Sequence, residues 1–237
     1  MTTTTFRKRS ADEFSRTLHP ALLAAQHIPP PRTTIRAQAN PILLPLNVLR
    51  PTQIAVGMRA VEAKREKVET RAHKPRKIVR FLEERPIPAV RGPGEAFYII
   101  DHHHLTLALW HSQVTSAFVE IIDDLSRLTP ARFWRAMEGA GRVYLYDQHG
   151  RRVEPERIPR SINALKADPY RDLAWSVRED GAYRKTGAPY SEFRWAEFFR
   201  KKISKSIVQR NYDDAVAMAM KFARSAEASN LPGFRGK

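Results

Sequence analysis

The sequence predicts an α+β fold, with a small mixed-sheet unit over residues 41–124 followed by a mainly helical region over 125–237. Three observations predict it. Between Pro41 and Asp124, apolar runs of strand length alternate with helix-spaced segments. Beyond Asp124, helical spacing dominates. Hydrophobic residues make up 42% of the 237-residue chain, enough to bury a core, and no internal repeat interrupts the pattern.

The first forty residues read as an arm. Thr2–Thr5, the cluster Arg7, Lys8 and Arg9, and the triplet Pro29–Pro31 bury too little apolar surface to order a chain, although Phe14, Leu18, Leu22 and Leu23 suit one short amphipathic helix. From Ile42 to Leu49 an apolar β-like run follows, broken at Arg50-Pro51-Thr52-Gln53. Residues 56–69 place Val56, Ala60, Val61, Ala63 and Val68 mostly on one helical face, with Glu62–Arg65 and Arg65–Glu69 as intrahelical pairs. Ile78–Leu82 suits a helix or a short strand. A hairpin is expected from Ile87–Val90, the Gly92-Pro93-Gly94 turn and Phe97–Ile100, then a helix over His102–His111 and a strand over Ser116–Ile122. Further on, Leu125–Glu138 reads as a helix, Val143–Tyr146 as a short strand and Ile162–Leu165 as a helical turn. Ser191–Ser204 and Tyr212–Ala228 read as the last long helices.

Charge divides unevenly along this plan. The net +16 splits into 6 basic and 2 acidic residues in 1–40, 12 and 10 in 41–124, and 23 and 13 in 125–237. A nearly neutral middle and a basic C-terminal half imply two different jobs, the basic half being suited to an anionic partner. The absence of cysteine excludes disulfides, thiolate metal sites and cysteine nucleophiles and fits a reducing cytoplasm. No apolar run approaches the ~20 residues that span a bilayer, so neither membrane insertion nor secretion is expected.

The least random feature is Asp101-His102-His103-His104, since four of the eight histidines fall between positions 102 and 111. Asp101 stands where an N-cap belongs, and the histidines then occupy a first helical turn whose amides lack intrahelical partners. Such a turn suits an anion, phosphate above all. The imidazoles add donors or acid/base groups, and Asp101 with His103 is a candidate metal pair. Neighbours on a helix differ by about 100°, so at most two of the three histidines face one ligand.

Phe97–Leu105, preceded by Leu46–Gln53 and by Pro86–Val90, resembles the ParB/sulfiredoxin superfamily, and more narrowly its ParB-like nuclease group, over about residues 41–200. The resemblance implies a ParB/sulfiredoxin-like domain whose helix-start loop grips nucleotide phosphates, for phosphoryl transfer, hydrolysis or nuclease activity. It implies CTP, ATP or ADP as substrate, with Mg²⁺ or another divalent metal as cofactor. Asp101, His103, His104 and Glu62 become candidate catalytic residues, and His102, His103, His104, Gln53, Lys64, Lys185 and Arg194 candidate phosphate ligands. The sequence departs from the superfamily pattern at two points: His102 replaces the usual glycine and Leu105 the usual basic residue. The aromatics interleaved with charge over residues 170–200, such as Trp195, Phe198 and Phe199, read as core or lid packing rather than base stacking. The alternative function is a basic nucleic-acid-binding, chromosome-partitioning-like adaptor in which the C-terminal half does the work.

Overall fold

Strand and helix alternate along the chain as the apolar spacing dictates, and a computed structural model describes residues 40–236. The expected arm over residues 1–40 lies, apart from Asn40, outside the described residues. Five strands form the main sheet: β1 (Ile42–Pro45), β2 (Leu49–Arg50), β4 (Ile87–Arg91), β5 (Phe97–Ile99) and β6 (Ser116–Asp124), in the order β1-β6-β4-β5-β2. The pair β4–β5 is the expected antiparallel hairpin, whereas β4 runs parallel to β6 and β2 parallel to β5. The sheet is therefore mixed. A two-residue strand β3 (Ala55–Val56) pairs in parallel with β7 (Lys166–Ala167) and ties the front of the chain to its later half.

Helices α1 (Met58–Ala72), α2 (Pro75–Glu83), α3 (His103–His111) and α4 (Pro130–Gly139) punctuate the sheet-forming half. The face predicted for α1 is the buried one, through Ala60, Val61 and Val68, and both expected ion pairs form, Glu62–Arg65 at 2.8 Å and Arg65–Glu69 at 3.2 Å. Val56, however, belongs to β3. Successive residues of a strand point to opposite faces of the sheet, so Ala89 and Ile99 enter one core with Val61 and Leu107, while Val90 and Tyr98 enter a second with Phe133 and Met137.

Four more helices complete the described chain: α5 (Pro169–Glu179), α6 (Ser191–Lys202), α7 (Lys205–Arg210) and α8 (Tyr212–Ala223). They bury a third core around Leu173, Val177, Trp195, Phe199 and Ala219. Trp195 stacks on Tyr183 with centroids 4.1 Å apart and planes 14° apart, so the expectation that these aromatics pack holds for both.

Several expected boundaries move for physical reasons. The helix expected from Leu125 starts at Pro130, because proline fits the first helical position and Leu125–Thr129 turns instead. Val143–Tyr146 makes only isolated bridges, from Tyr144 to Gln53 and from Tyr146 to Arg152. Helix α6 stops at Lys202 and α8 at Ala223, short of Ser204 and Ala228. Helix α5 was not anticipated, although Asp168-Pro169 is a cap-and-first-turn signature: Asp168 accepts the Tyr170 N–H at 3.0 Å.

The contact between α1 and α5 is close and carries a titratable group. A Cβ on Gly57 would lie 3.0 Å from Asp172 Oδ1 and 3.1 Å from the Arg171 carbonyl carbon, so glycine lets the two helices meet. Asp172 accepts the N–H of Arg59, in the first turn of α1, at 2.6 Å. Burial pushes its carboxyl pKa up to about 6, beyond what the Arg59 N–H and charge offset. A carboxyl whose folded pKa exceeds its unfolded value contributes stability that is present below the unfolded pKa and lost as pH rises through about 6. Asp172→Asn keeps an acceptor for Arg59 and removes the buried charge. It is expected to stabilise the fold at pH 8 by on the order of 1–3 kcal/mol and by much less at about pH 4. Urea unfolding at the two pH values checks this, and a loss of stability, or an equal gain at both pH values, would refute it.

Candidate functional site

The turn after β5, together with α1, α5 and the segment 185–193, lines a cleft of about 590 Å³. Its lining gathers Gln53, Lys64, Asp101, His102, His103, His104 and Lys185 from the residues singled out in the sequence. Two of them do not join it. Glu62 is an exposed partner of Arg65, and Arg194 turns away to donate to the Asn230 carbonyl at 3.0 Å.

The turn itself differs from expectation in its cap. His102, not Asp101, is the N-cap residue of α3, in left-handed backbone at φ 62°, ψ 20°. That conformation favours glycine, which explains why glycine is usual here in the resembling superfamily, and a histidine in it costs roughly 1–2 kcal/mol. Asp101 Oδ1 instead accepts the His102 N–H at 2.6 Å. No side chain caps α3, so its first turn presents amides and the positive end of the helix dipole to the cleft.

Each histidine has a distinct environment. His103 is 5% exposed, and its Nε2 accepts the Thr52 N–H at 3.1 Å while Thr52 Oγ1 donates to the Ile99 carbonyl at 2.8 Å. The expected use of His103 as acid/base group or metal ligand meets this bond: Nε2 is occupied, and burial, with His104 and Arg171 adding to it, holds the ring's pKa well below 6.5. His103 fastens the segment that follows β2 to the start of α3. His104 is also neutral, its pKa lowered to about 3 by burial first and then by Arg171, against the opposing influence of Glu192. His102 is held below its usual range by burial, and its Nδ1 is buried without a hydrogen-bond partner.

Opposite the turn stand residues that were not proposed as ligands from the sequence. Arg171 is 4% exposed, lies with its guanidinium 3.5 Å from the Phe193 ring centroid, and donates through Nη2 to Glu192 at 3.3 Å. Its Nε and Nη1 are buried and have no acceptor. Arg178 pairs with Glu192 and Glu179. Burial alone would raise the Glu192 carboxyl pKa, but Arg171, His104 and Arg178 together draw it down to about 2. Glu192 is thus a fixed charge at neutral pH and not a base. Arg171 and Arg178 sit seven residues apart on the cleft-facing side of α5, a spacing that becomes visible once Asp168-Pro169 is recognised as a helix start. Lys64 is held below its ordinary pKa by burial and by Lys67 and Lys185. With Arg142, five cationic side chains line the cleft against the two carboxylates Asp101 and Glu192. The site favours an anion.

A family model described as "Putative ParB-like nuclease" matches residues 42–201. The chain belongs to the ParB-like nuclease family. The match ends within α6 and takes in both walls of the cleft. A solved structure, that of protein Atu1540 from Agrobacterium tumefaciens, is 40% identical, with a TM-score of 0.75, over 83% of this chain and 97% of that one. No curated protein matches the chain. Among the described residues of this ParB-like protein, no helix is long and apolar enough to cross a membrane.

Proposed function

We propose that this ParB-like protein binds a nucleotide or other phosphate ester in the cleft, at the first turn of α3, and catalyses phosphoryl transfer or hydrolysis there. The observation that carries the proposal is Arg171, a buried guanidinium with two nitrogens, Nε and Nη1, left without acceptors beside an uncapped helix N-terminus. A buried unpaired donor costs about 1–3 kcal/mol, more on a charged group, and a phosphate oxygen supplies the missing acceptors in the bidentate geometry that arginine favours. During transfer, negative charge spreads over the equatorial oxygens of the phosphoryl group. Arg171 and the α3 amides are placed to stabilise it. Lys64 and Lys185 neutralise further oxygens, and Gln53, whose Nε2 is committed to the Ala55 carbonyl at 2.9 Å, has its Oε1 as an acceptor for a ligand hydroxyl or amine.

Among the described residues, no three His, Cys, Asp or Glu side chains gather as a protein-built metal cage requires. A Mg²⁺ ion fits here only in the manner usual for nucleotide sites, arriving with the phosphates and held by one or two carboxylates. Asp101 is the available carboxylate, since Glu192 is tied to two arginines.

Calorimetry of the full chain with CTP, ATP and ADP, with and without Mg²⁺, tests the proposal alongside phosphate-release assays. Saturable binding of at least one nucleotide is expected. Absence of binding by all three, together with no phosphate release above buffer, would sink it.

A further inference from the structure

Helix α5 turns three residues to the cleft at positions i, i+4 and i+7: Arg171, Trp175 and Arg178. The two arginines are accounted for by the phosphate site and by Glu192. Trp175 is not. Two other tryptophans have ring partners, Trp195 in the helical core and Trp134 against Tyr98 and Phe133, and Trp110 packs on the core beneath the sheet. Trp175 is half-buried, belongs to no core cluster, and its indole makes no hydrogen bond or ring contact among the described residues. An indole of this size is normally retained on a protein for the area that it buries. Here that area lines the cleft, on the same helix as the cleft-lining Arg171 and Arg178.

We propose that Trp175 is the stacking platform for a flat aromatic ring carried by the ligand whose phosphate is held at Arg171. The inference rests on the phosphate-binding proposal above and adds a specificity-determining residue to it. An indole face offers dispersion and apolar contact to any heterocycle, which tolerates ring identity while rejecting a phosphate ester without a ring. Four residues of helix, a rise of about 6 Å, separate Trp175 from Arg171, a spacing that suits a ring and a phosphate joined by a short polar linker such as a pentose. The ring is selected by the cleft wall and the phosphate by the cleft floor.

The test titrates the full chain with AMP, CMP, ribose 5-phosphate and inorganic phosphate, read by calorimetry and by tryptophan fluorescence. AMP and CMP are expected to bind roughly 10- to 100-fold more tightly than ribose 5-phosphate and to quench fluorescence. Trp175→Ala is expected to erase that preference while leaving ribose 5-phosphate binding within about twofold, and Trp175→Phe to keep most of it without the quench. Equal affinity for AMP and ribose 5-phosphate in the unmodified protein, or a preference that survives Trp175→Ala, overturns the role of Trp175 and leaves the phosphate site standing. Failure of all four probes to bind overturns both. Circular dichroism of each variant shows whether its fold is intact, and Trp175→Phe supplies the comparison should alanine disturb α5.

Discussion

Arg171→Met is expected to weaken binding of any phosphate-bearing ligand by more than about 100-fold, because two charge-assisted hydrogen bonds of about 1.5–3 kcal/mol each are lost at a desolvated site. The substitution also strips Glu192 of one of its two arginines. Removing one partner of a buried ion pair costs about 3–5 kcal/mol, so stability and affinity must be separated. The pair of variants that separates them is Glu192→Gln and Arg171→Met/Glu192→Gln. Glu192→Gln alone removes a carboxylate that competes for Arg171 and Arg178, and it is expected to tighten phosphate binding several-fold. The double variant, relieved of its unpaired carboxylate, is expected to fold as Glu192→Gln does and still fail to bind. Titration with inorganic pyrophosphate reads all three. Wild-type affinity in the double variant would remove Arg171 from the site.

A second large effect is expected at Trp195, on stability. Its side chain is fully buried, stacks on Tyr183, meets Phe198 and Phe199 with centroids 6.0 and 5.7 Å away, and donates its Nε1–H to the Pro232 carbonyl at 2.8 Å. Trp195→Ala opens a cavity that costs about 3–5 kcal/mol and leaves that carbonyl without its donor. Against a total stability of about 5–15 kcal/mol, this is a large fraction. At about 2–4 °C per kcal/mol for a chain of this size, Tm should fall by roughly 10 °C or more. Trp195→Phe keeps a ring against Tyr183 and should lose about half as much. A loss below 1 kcal/mol for the alanine variant in urea unfolding would show that the helical core does not depend on this ring.

The histidine turn shows how far local signals reach. Strand, turn and helix from Phe97 to His111 are legible because their cause is local: an apolar run, a break, and helical spacing afterwards. The role of each histidine is not, because it depends on partners far along the chain. His103 is claimed by the Thr52 N–H, 51 positions away, and His104 is kept neutral by burial beside Arg171. The cap departs from the local signal for a related reason. Asp101 has the chemistry of an N-cap, but the tight exit from β5 puts His102 in the left-handed region, and the carboxylate bonds to the next amide instead.

The C-terminal half reads in the opposite way. Its basicity and interleaved aromatics are plain in the sequence, while the division of labour among them is set by packing. Arg194 and Arg171 look equivalent in a list of residues. One reaches a surface carbonyl and the other is buried in the cleft, because Gly57 lets α5 approach α1 closely enough to bring Arg171 to the start of α3. By itself the sequence determined the α+β plan, the hairpin, the α1 face and the position of the turn, all features governed by periodicity and backbone preference over a few residues. Tertiary structure alone decided which cations face the turn, that Glu192 is a fixed charge, and that one arginine lies buried with donors to spare. In the cleft, burial and charge pairing arise when separate segments, such as those bearing His104, Arg171 and Glu192, are brought together, and these are the quantities on which the proposed anion site rests.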